Sequence, residues 1–289
     1  MSVCKLIWYD IKNGIFKKMR FLIVPFLALL ECLYTDMLLN TVKEYNSVDT
    51  KTTVFDLLTV IYRGCEPLLK FKRDEDPPDM PIFWVGIFVF AVFIGFDYLH
   101  NDLTQFGMQM IIRTKERTKW WLCKCLWCLC SSVVFFVLFV GTVFVFCIFN
   151  GYDLSFKNNV DILEIFSQSS VVYHPKMINS ISKIQSVMMF LSPLIVIATL
   201  NMLQMLMTLF FKPMYSYMFN ISLLSIGFLS DSIFAFSRCA MPIYSDIFLI
   251  GGFDIKGALV LCAILIAISV IIGFVYFKRY DILPDKEDN

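Results

Sequence analysis

The segment DYLHNDLTQFGMQMIIRTKERTKWWLCK, residues 97–124, separates two long apolar runs. It contains five Lys and Arg residues against three acids, and the pair Trp120–Trp121 stands where the next apolar run begins. Its first half predicts an amphipathic helix, because apolar residues recur there at spacings of three and four: Leu103, Phe106, Met110 and Ile111. This order of parts predicts a cytoplasmic helix that docks on a partner and is pinned to the membrane surface.

The composition is typical of a membrane protein. Mean hydropathy is +0.71, 58% of the residues are hydrophobic and 17% are charged, whereas a soluble domain carries about 25% charged residues. The net charge of +1 lacks the basic excess of a nucleic-acid-binding protein, so no nucleic-acid partner is expected.

The apolar runs predict an all-α membrane protein with six transmembrane helices, because about 20 helical residues cross a hydrocarbon core of about 30 Å. The predicted spans are 21–40, 81–98, 120–149, 184–211, 215–236 and 257–277. They form one transmembrane domain, 21–289, with a coupling segment at 99–119 and a tail at 278–289. Because the dense basic segments are expected to face the cytoplasm, both termini are predicted to be cytoplasmic.

The remaining segments carry weaker local signals. Residues 1–20 are basic and amphipathic, and predict an interfacial helix; the alternative is a disordered start with topology-setting charges. Within the long polar loop 41–80, residues 54–62 are amphipathic and are expected to lie along the membrane surface. A short helix is predicted at 160–166.

Three of the polar side chains inside predicted spans are candidates for a functional role. Glu31 lies near mid-depth of the first span, where an ionisable group marks either a functional site or a protonated acid bonded to a neighbouring helix. Asn201 and Gln204 are three residues apart and therefore share a face of the fourth span. All three are candidates for a translocation path, and the alternative for the two amides is hydrogen bonding across helices.

The ten cysteines are predicted to serve mainly in packing. The spacing C-x-C-x-x-C-x-C at Cys123–Cys130 is similar to that of a metal site, but on a helix these four residues do not share a face, so no metal is expected. Cys65 and Cys239 both fall in predicted outer loops, and spacing alone does not decide whether they form a disulfide.

Sequence motifs for catalysis are absent. The chain contains no G-x-x-x-x-G-K-[ST] phosphate loop and no G-x-S-x-G elbow, and its two histidines lack partners at metal-ligand spacing. The chain is therefore not expected to be an enzyme, to bind a cofactor or to hydrolyse ATP itself.

The segment GMQMIIRTKERTKWWLCKCLW, residues 107–127, resembles the R-[ST]-x-x-R-x-x-W-W-x-x-K signature of bacterial ABC-2-type ABC transporter permeases. Five residues stand at the matching places: Arg113, Arg117, Trp120, Trp121 and Lys124. Cys123 stands where the group often has Ser. The tail FKRYDIL, residues 277–283, and the amphipathic start are also similar to this group.

The resemblance implies a type V exporter-like fold with an N-terminal connecting helix, six transmembrane helices, a coupling helix between the second and third, and short outer helices before the sixth. It implies a cell-membrane complex of two permeases, identical or homologous, on two separate ATPase subunits that bind ATP and Mg. Relatives in this group export, or confer immunity to, antimicrobial and other amphipathic peptides.

The residues expected to contact the ATPase are Asp102, Leu103, Phe106, Met110, Arg113 and Arg117. The residues expected to anchor the chain at the lipid interface are Trp120, Trp121 and Lys124. The alternative for this stretch is a plain basic loop that only sets topology.

Two other functions are compatible with the sequence. A multi-span enzyme acting on lipid phosphates would use the acids and histidine at the inner end of the second span: Asp97, His100 and Asp102. A sensor or immunity protein would bind a peptide outside without moving it. An ATPase requirement distinguishes the transporter from both.

Overall fold

The computed structural model describes residues 3–16, 19–47, 50–70, 80–104, 117–155, 157–168, 174–176, 181–230, 232 and 235–279. The α-helices in this part of the chain are α1 (Val3–Ile11), α2 (Ile23–Asn46), α3 (Val54–Ile61), α4 (Ile82–Gly95), α5 (Tyr98–Thr104), α6 (Arg117–Phe149), α7 (Val160–Gln168), α8 (Lys183–Met207), α9 (Pro213–Leu229) and α10 (Ile255–Arg279). One antiparallel pair of two-residue strands joins β1 (His174–Pro175) to β2 (Leu249–Ile250).

The predicted all-α membrane class agrees with this architecture. Five helical stretches are long and apolar enough to cross a membrane, and each overlaps a predicted span: Met19–Asn46, Ile82–Thr104, Arg117–Phe149, Lys183–Met207 and Ile255–Lys278. The second stretch consists of α4 and α5, which are separated by a turn at Phe96 and Asp97.

The predicted fifth span, 215–236, differs from the helix that is present. Helix α9 has 17 residues and ends at Leu229, because Ser230 adopts an extended backbone. The chain then returns along the helix end, where the Ser237 hydroxyl donates to the carbonyl of Leu224 at 3.2 Å. Residues Phe236–Ala240 form a buried 3-10 helix. The sixth membrane crossing therefore stays a prediction.

The sequence predicts that residues 54–62 lie along the membrane surface, but helix α3 lies inside the protein. All eight of its residues are buried. Burial is tolerated because its polar groups have partners: Thr53 and Asp56 form a reciprocal capping box, and Asp56 also accepts the backbone N–H of Asn159 at 2.7 Å. The Thr59 hydroxyl donates to the carbonyl of Phe55.

The loops that follow α2, α6 and α9 assemble around α3. Helix α7 confirms the short helix predicted at 160–166. An isolated bridge joins Thr53 to Asp153, and the Trp84 indole donates to the carbonyl of Ala240 at 3.0 Å. We call this region, comprising α3, α7, β1, β2 and the 3-10 helices at Phe236–Ala240 and Pro242–Tyr244, the capped end.

The opposite end of the structure contains α1. After α1 the chain makes a π-helical turn at Lys12–Phe16 and a 3-10 turn at Met19–Leu22 before it enters α2. A helix is thus present where residues 1–20 predicted one, and its position at a membrane interface stays a prediction. We call this region, which also holds α5, the start of α6 and the last turns of α10, the α1 end.

Candidate functional site at the N-terminal helix

A buried ion cluster joins α1 to both sides of residues 103–119, which we call the basic segment. The ammonium of Lys124, two turns into α6, lies 2.5 Å from Oδ1 of Asp10 on α1 and 2.9 Å from Oδ2 of Asp102 on α5. The Tyr98 hydroxyl donates to the same Asp10 oxygen at 2.7 Å. The Lys124 and Asp10 side chains are only 2% and 3% exposed. Three helices are therefore connected through one lysine, and we call these four residues the Lys124 cluster.

Aromatic rings enclose the Lys124 cluster and exclude water from it. The Lys124 ammonium lies 5.0 Å from the centre of the Tyr98 ring and 5.2 Å from that of Trp120, within cation–π range. Tyr98 in turn stacks on Trp127 at 3.7 Å. A Cβ at Gly14 would lie 2.4 Å from the Trp127 ring nitrogen, so only glycine lets the π-helical turn pass this close.

The cluster combines two carboxyl groups with one ammonium. Burial is the largest influence on Asp10 and raises the pKa of its carboxyl above the ordinary value of 3.8, while the Lys124 ammonium and the hydrogen bonds from Lys124 and Tyr98 act in the opposite direction. The pairing with the Lys124 ammonium therefore offsets the unfavourable burial of the Asp10 carboxylate.

A second ion pair connects the entrance of α2 to the α4–α5 turn. The Arg20 guanidinium donates to both carboxylate oxygens of Asp97, at 2.9 and 3.2 Å, and to the carbonyl of Phe93 at 3.2 Å. It also lies 4.7 Å from the centre of the Phe93 ring. The two-point geometry fixes orientation as well as distance.

Trp121 joins the start of α6 to the last turns of α10. Its indole N–H donates to the carbonyl of Val270 at 3.0 Å, and its ring stacks on Phe277 at 5.5 Å. The ring occupies the space next to Gly273, where a Cβ would lie 2.1 Å from the indole. Trp120 also packs against Phe277, with ring centres 5.2 Å apart.

The residues predicted to contact an ATPase are only partly within the described chain. Asp102 belongs to the Lys124 cluster, Leu103 is half-buried against the apolar core, and Arg117 is the first residue of α6. The other three lie outside the described residues: Phe106, Met110 and Arg113.

The three residues predicted to anchor the chain at the lipid interface are inside the protein. Trp120, Trp121 and Lys124 are 3%, 0% and 2% exposed, respectively. Their contacts are with α1, α5 and α10 rather than with a lipid-exposed surface. Their observed role is to hold helices together, and an anchoring role draws no support from their burial.

The three polar residues predicted for a translocation path do not come together. Asn201 donates to the Ser132 hydroxyl at 2.9 Å, and the Gln204 side-chain oxygen accepts from Asn220 at 2.7 Å, so both amides bond across helices. They line a small cavity with Trp127. Glu31 lines a different cleft, nearer the capped end. The geometry of the two amides matches the hydrogen-bonding alternative.

At the other candidate sites, the acids are already paired with basic side chains or the potential metal ligands lie apart. Asp97 and Asp102 are bound by Arg20 and Lys124, while His100 is exposed. Among the described residues, no group of three or more metal-ligating side chains converges. Cys123 packs against Ile7 of α1. The thiols at 125, 128 and 130 are free, as are those of the outer pair at 65 and 239.

The sequence interpretation missed Asp10 and Arg20. Both belong to a segment that was assigned to a membrane surface on the basis of its lysines and apolar residues. The available signal was Asp10 itself, a lone acid among basic residues in an amphipathic segment. An acid in that position is unfavourable near an anionic lipid surface, which suggests that it binds a cation within the protein.

A family model described as a protein of unknown function (DUF2705) matches residues 79–283, more than two thirds of the chain. The match includes Asp97, Asp102 and Lys124, and begins after α1, α2 and α3. No curated protein and no solved structure matches the chain.

Proposed function

The chain belongs to DUF2705, a family of unknown function, and we propose that it is the permease subunit of an ATP-driven transporter of the ABC-2 type. In this proposal two permease chains, identical or homologous, form a path through the cell membrane for an amphipathic peptide or a lipid-like cargo. Two separate ATPase subunits, which bind ATP and Mg, supply the energy from the cytoplasm, where both termini lie.

The observation that carries the proposal is the position of the Lys124 cluster relative to the basic segment. Asp102 lies just before residues 105–116 and Lys124 lies shortly after them, and the two side chains are 2.9 Å apart. A force applied to this segment is therefore transmitted to α5 and α6 at once, and through Asp10 to α1. A permease that is driven by a separate ATPase subunit requires such a connection.

The energetics favour joint movement of the three helices. Removing one partner of a buried ion pair costs about 3–5 kcal/mol, because a charge is left without compensation. Separation of α5 from α6 at Lys124 carries a cost of the same kind. The two helices therefore respond to displacement of the segment between them as one body, and Arg20 with Asp97 adds the entrance of α2 to that body.

The sequence supplies the other half of the proposal. It contains no phosphate loop, so energy must arrive by contact. The docking surface in this proposal consists of the apolar side chains of the basic segment with flanking arginines: Leu103, Phe106, Met110, Arg113 and Arg117. The enzyme alternative is weaker, because Asp97 and Asp102 are each bound by a cation and are not available to hold a metal or a phosphate ester.

Co-purification tests the proposal. The chain, tagged at its C-terminus, is extracted gently from native membranes and its partners are identified. We expect a soluble ATPase with a phosphate loop at near one-to-one stoichiometry, and its loss when Phe106→Asp and Arg117→Glu are combined. Recovery of a functional chain without an ATPase would exclude the transporter.

A matched control makes the same two kinds of change, a phenylalanine to aspartate and a basic residue to glutamate, at the other end of the long helices. Phe149 is 83% exposed at the end of α6, and Lys256 is exposed in the first turn of α10. The combination of Phe149→Asp with Lys256→Glu is expected to leave the ATPase bound. Loss of the ATPase in both double variants would indicate a general effect of the charge changes on the protein rather than a docking surface.

A further inference from the structure

A cleft of about 60 Å³ lies between α2, the end of α3 and the start of α4, and contains the Glu31 side chain. Glu31 is 3% exposed. In the described part of the chain, no hydrogen bond or ion pair reaches its carboxyl group. Acids at this depth are normally paired, because a buried carboxylate without a counter-charge is unfavourable. The cleft therefore contains an acid whose partner is not supplied by the described residues.

The neighbouring polar groups do not neutralise Glu31. Thr35, one turn later on the same face of α2, also lines the cleft and is 2% exposed. Arg63 lines the far side, but its guanidinium lies 5.6 Å from the centre of the Phe166 ring on α7 and makes no ion pair with Glu31. The inner part of the cleft thus presents a carboxyl and a hydroxyl oxygen.

Aromatic rings form much of the wall. Tyr34 of α2 and Phe83 of α4 stack on each other, with ring centres 4.4 Å apart, and Trp84 also lines the cleft. Trp84 is held in position by its hydrogen bond to the carbonyl of Ala240 and by Phe88 at 4.7 Å. Aromatic faces next to a carboxylate are the combination that recognises ammonium groups.

The exposed surface next to the cleft is apolar. Tyr34 and Phe83 are each 44% exposed and Ile82 is 73% exposed, on helices that are long enough to lie in lipid. An apolar chain attached to a group in the cleft can therefore lie along α2 and α4. The cleft itself holds only a few water-sized groups, which limits the bound part to a small head.

We propose that this cleft binds the ammonium group of an amphipathic amine, with the Glu31 carboxylate as its counter-ion. The three N–H donors of a primary ammonium match the oxygens of Glu31 and Thr35, and the ring faces of Tyr34 and Trp84 stabilise the charge. The apolar part of the ligand lies along α2 and α4. As a cargo site this inference rests on the proposed function, whereas amine binding by itself requires no ATPase.

The test is binding of n-octylammonium to the full chain in phosphatidylcholine nanodiscs, measured by isothermal titration against empty nanodiscs. Octanol and octyl sulfate serve as neutral and anionic probes of the same chain length. We expect saturable binding of one n-octylammonium per chain. The Glu31→Gln variant is expected to bind it at least about tenfold more weakly, which corresponds to loss of about 1.4 kcal/mol.

The Glu44→Gln variant is the matched control. It makes the same substitution on the same helix, at an exposed position outside the cleft, and its affinity is expected to equal that of the wild type. Equal binding of octanol, or undiminished binding to a Glu31→Gln variant of wild-type helix content, overturns the proposal. Because the isolated chain is used, this result is independent of the co-purification result.

Discussion

The ammonium of Lys124 and the carboxylate of Asp10 are 2.5 Å apart in a water-excluded cluster, although 114 positions separate the two residues in sequence. The contact converts an N-terminal helix into part of the helix bundle. It also places α1 in direct connection with the two ends of the basic segment, so the N-terminal helix and that segment are expected to move together.

The first prediction concerns the stability of the Lys124 cluster. Lys124→Met leaves the buried carboxyl groups of Asp10 and Asp102 without their cation, and is expected to lower the free energy of unfolding by about 3–5 kcal/mol. Combining it with Asp10→Asn is expected to recover part of the loss. Equilibrium unfolding in a mild detergent measures both, with Lys256→Met, at an exposed position in the first turn of α10, as the control. Equal stability of Lys124→Met and the control would contradict the assigned role.

The second prediction concerns coupling. Phe106→Asp combined with Arg117→Glu is expected to leave membrane insertion and basal ATP hydrolysis by the partner intact, while transport falls at least about tenfold, the equivalent of about 1.4 kcal/mol of docking energy. The measurement is cargo flux in vesicles alongside phosphate release. Transport at the wild-type rate in this double variant would eliminate the docking surface.

The third prediction concerns pH and Asp56. Burial raises the pKa of the Asp56 carboxyl from 3.8 to about 6, despite hydrogen bonds from Thr53 and Asn159 that favour the charged form. Because the folded state then binds the proton more tightly than the unfolded state, stability is expected to decrease as pH rises from 3.8 to about 6. The change amounts to about 3 kcal/mol.

The Asp56→Asn variant isolates this contribution. Asparagine cannot ionise, so the difference in unfolding free energy between wild type and variant is expected to change across this pH range and to be constant above it. Asp10 and other groups titrate equally in both proteins and cancel in the difference. A difference that is independent of pH would show that Asp56 titrates at its ordinary value.

The fourth prediction compares two glycines within helices. A Cβ at Gly273 would lie 2.1 Å from the Trp121 indole, whereas a Cβ at Gly141 meets nothing within 4 Å. Gly273→Ala is expected to cost about 1–3 kcal/mol through overpacking, and Gly141→Ala is expected to be neutral or to stabilise the helix by up to about 1 kcal/mol. Thermal unfolding of the two variants in the same detergent measures both stabilities. A Gly141→Ala variant less stable than Gly273→Ala would refute the close packing of α6 on α10.

The fifth prediction concerns the membrane crossing by α9. If this 17-residue helix spans the membrane, six crossings place both termini on the same side, which the basic segments predict to be the cytoplasm, whereas five crossings would place them on opposite sides. Seventeen residues lie at the lower limit of the length that spans a bilayer. We expect a C-terminal fluorescent protein fusion to fluoresce and a C-terminal phosphatase fusion to be inactive, as for a cytoplasmic end. The opposite pattern would require five crossings.

Much of the helical framework was predictable from the sequence, because a long run of apolar residues has few alternatives. The helices at 117–149, 183–207 and 255–279 agree with the predicted spans to within a few residues. The end of α9 was not predictable in this way. Three polar residues follow Leu229, but apolar residues resume at 233–236, and the predicted span therefore continued to 236. The packing of Ser237 against α9 shows that the chain has turned.

The candidate site was predictable only in part. The sequence directed attention to Asp102, Trp120, Trp121 and Lys124, but it assigned the last three to a lipid interface. A Lys and two Trp at the end of an apolar run have the same pattern whether they face lipid headgroups or the inside of a bundle. Pairing partners on distant segments distinguish the two, and periodicity along one helix contains no information about them.

The sequence by itself determined that this is an all-α protein with helices of membrane-spanning length, because hydropathy and the need to satisfy every backbone hydrogen bond in lipid act along a single segment. It also determined that no phosphate loop is present. Tertiary structure alone decided that Lys124 binds Asp10 and Asp102, that α3 is buried, and that Glu31 faces a cleft between helices. Each of these depends on which distant segments come together, and burial then fixes whether a charge is paired, exposed or left facing a cleft.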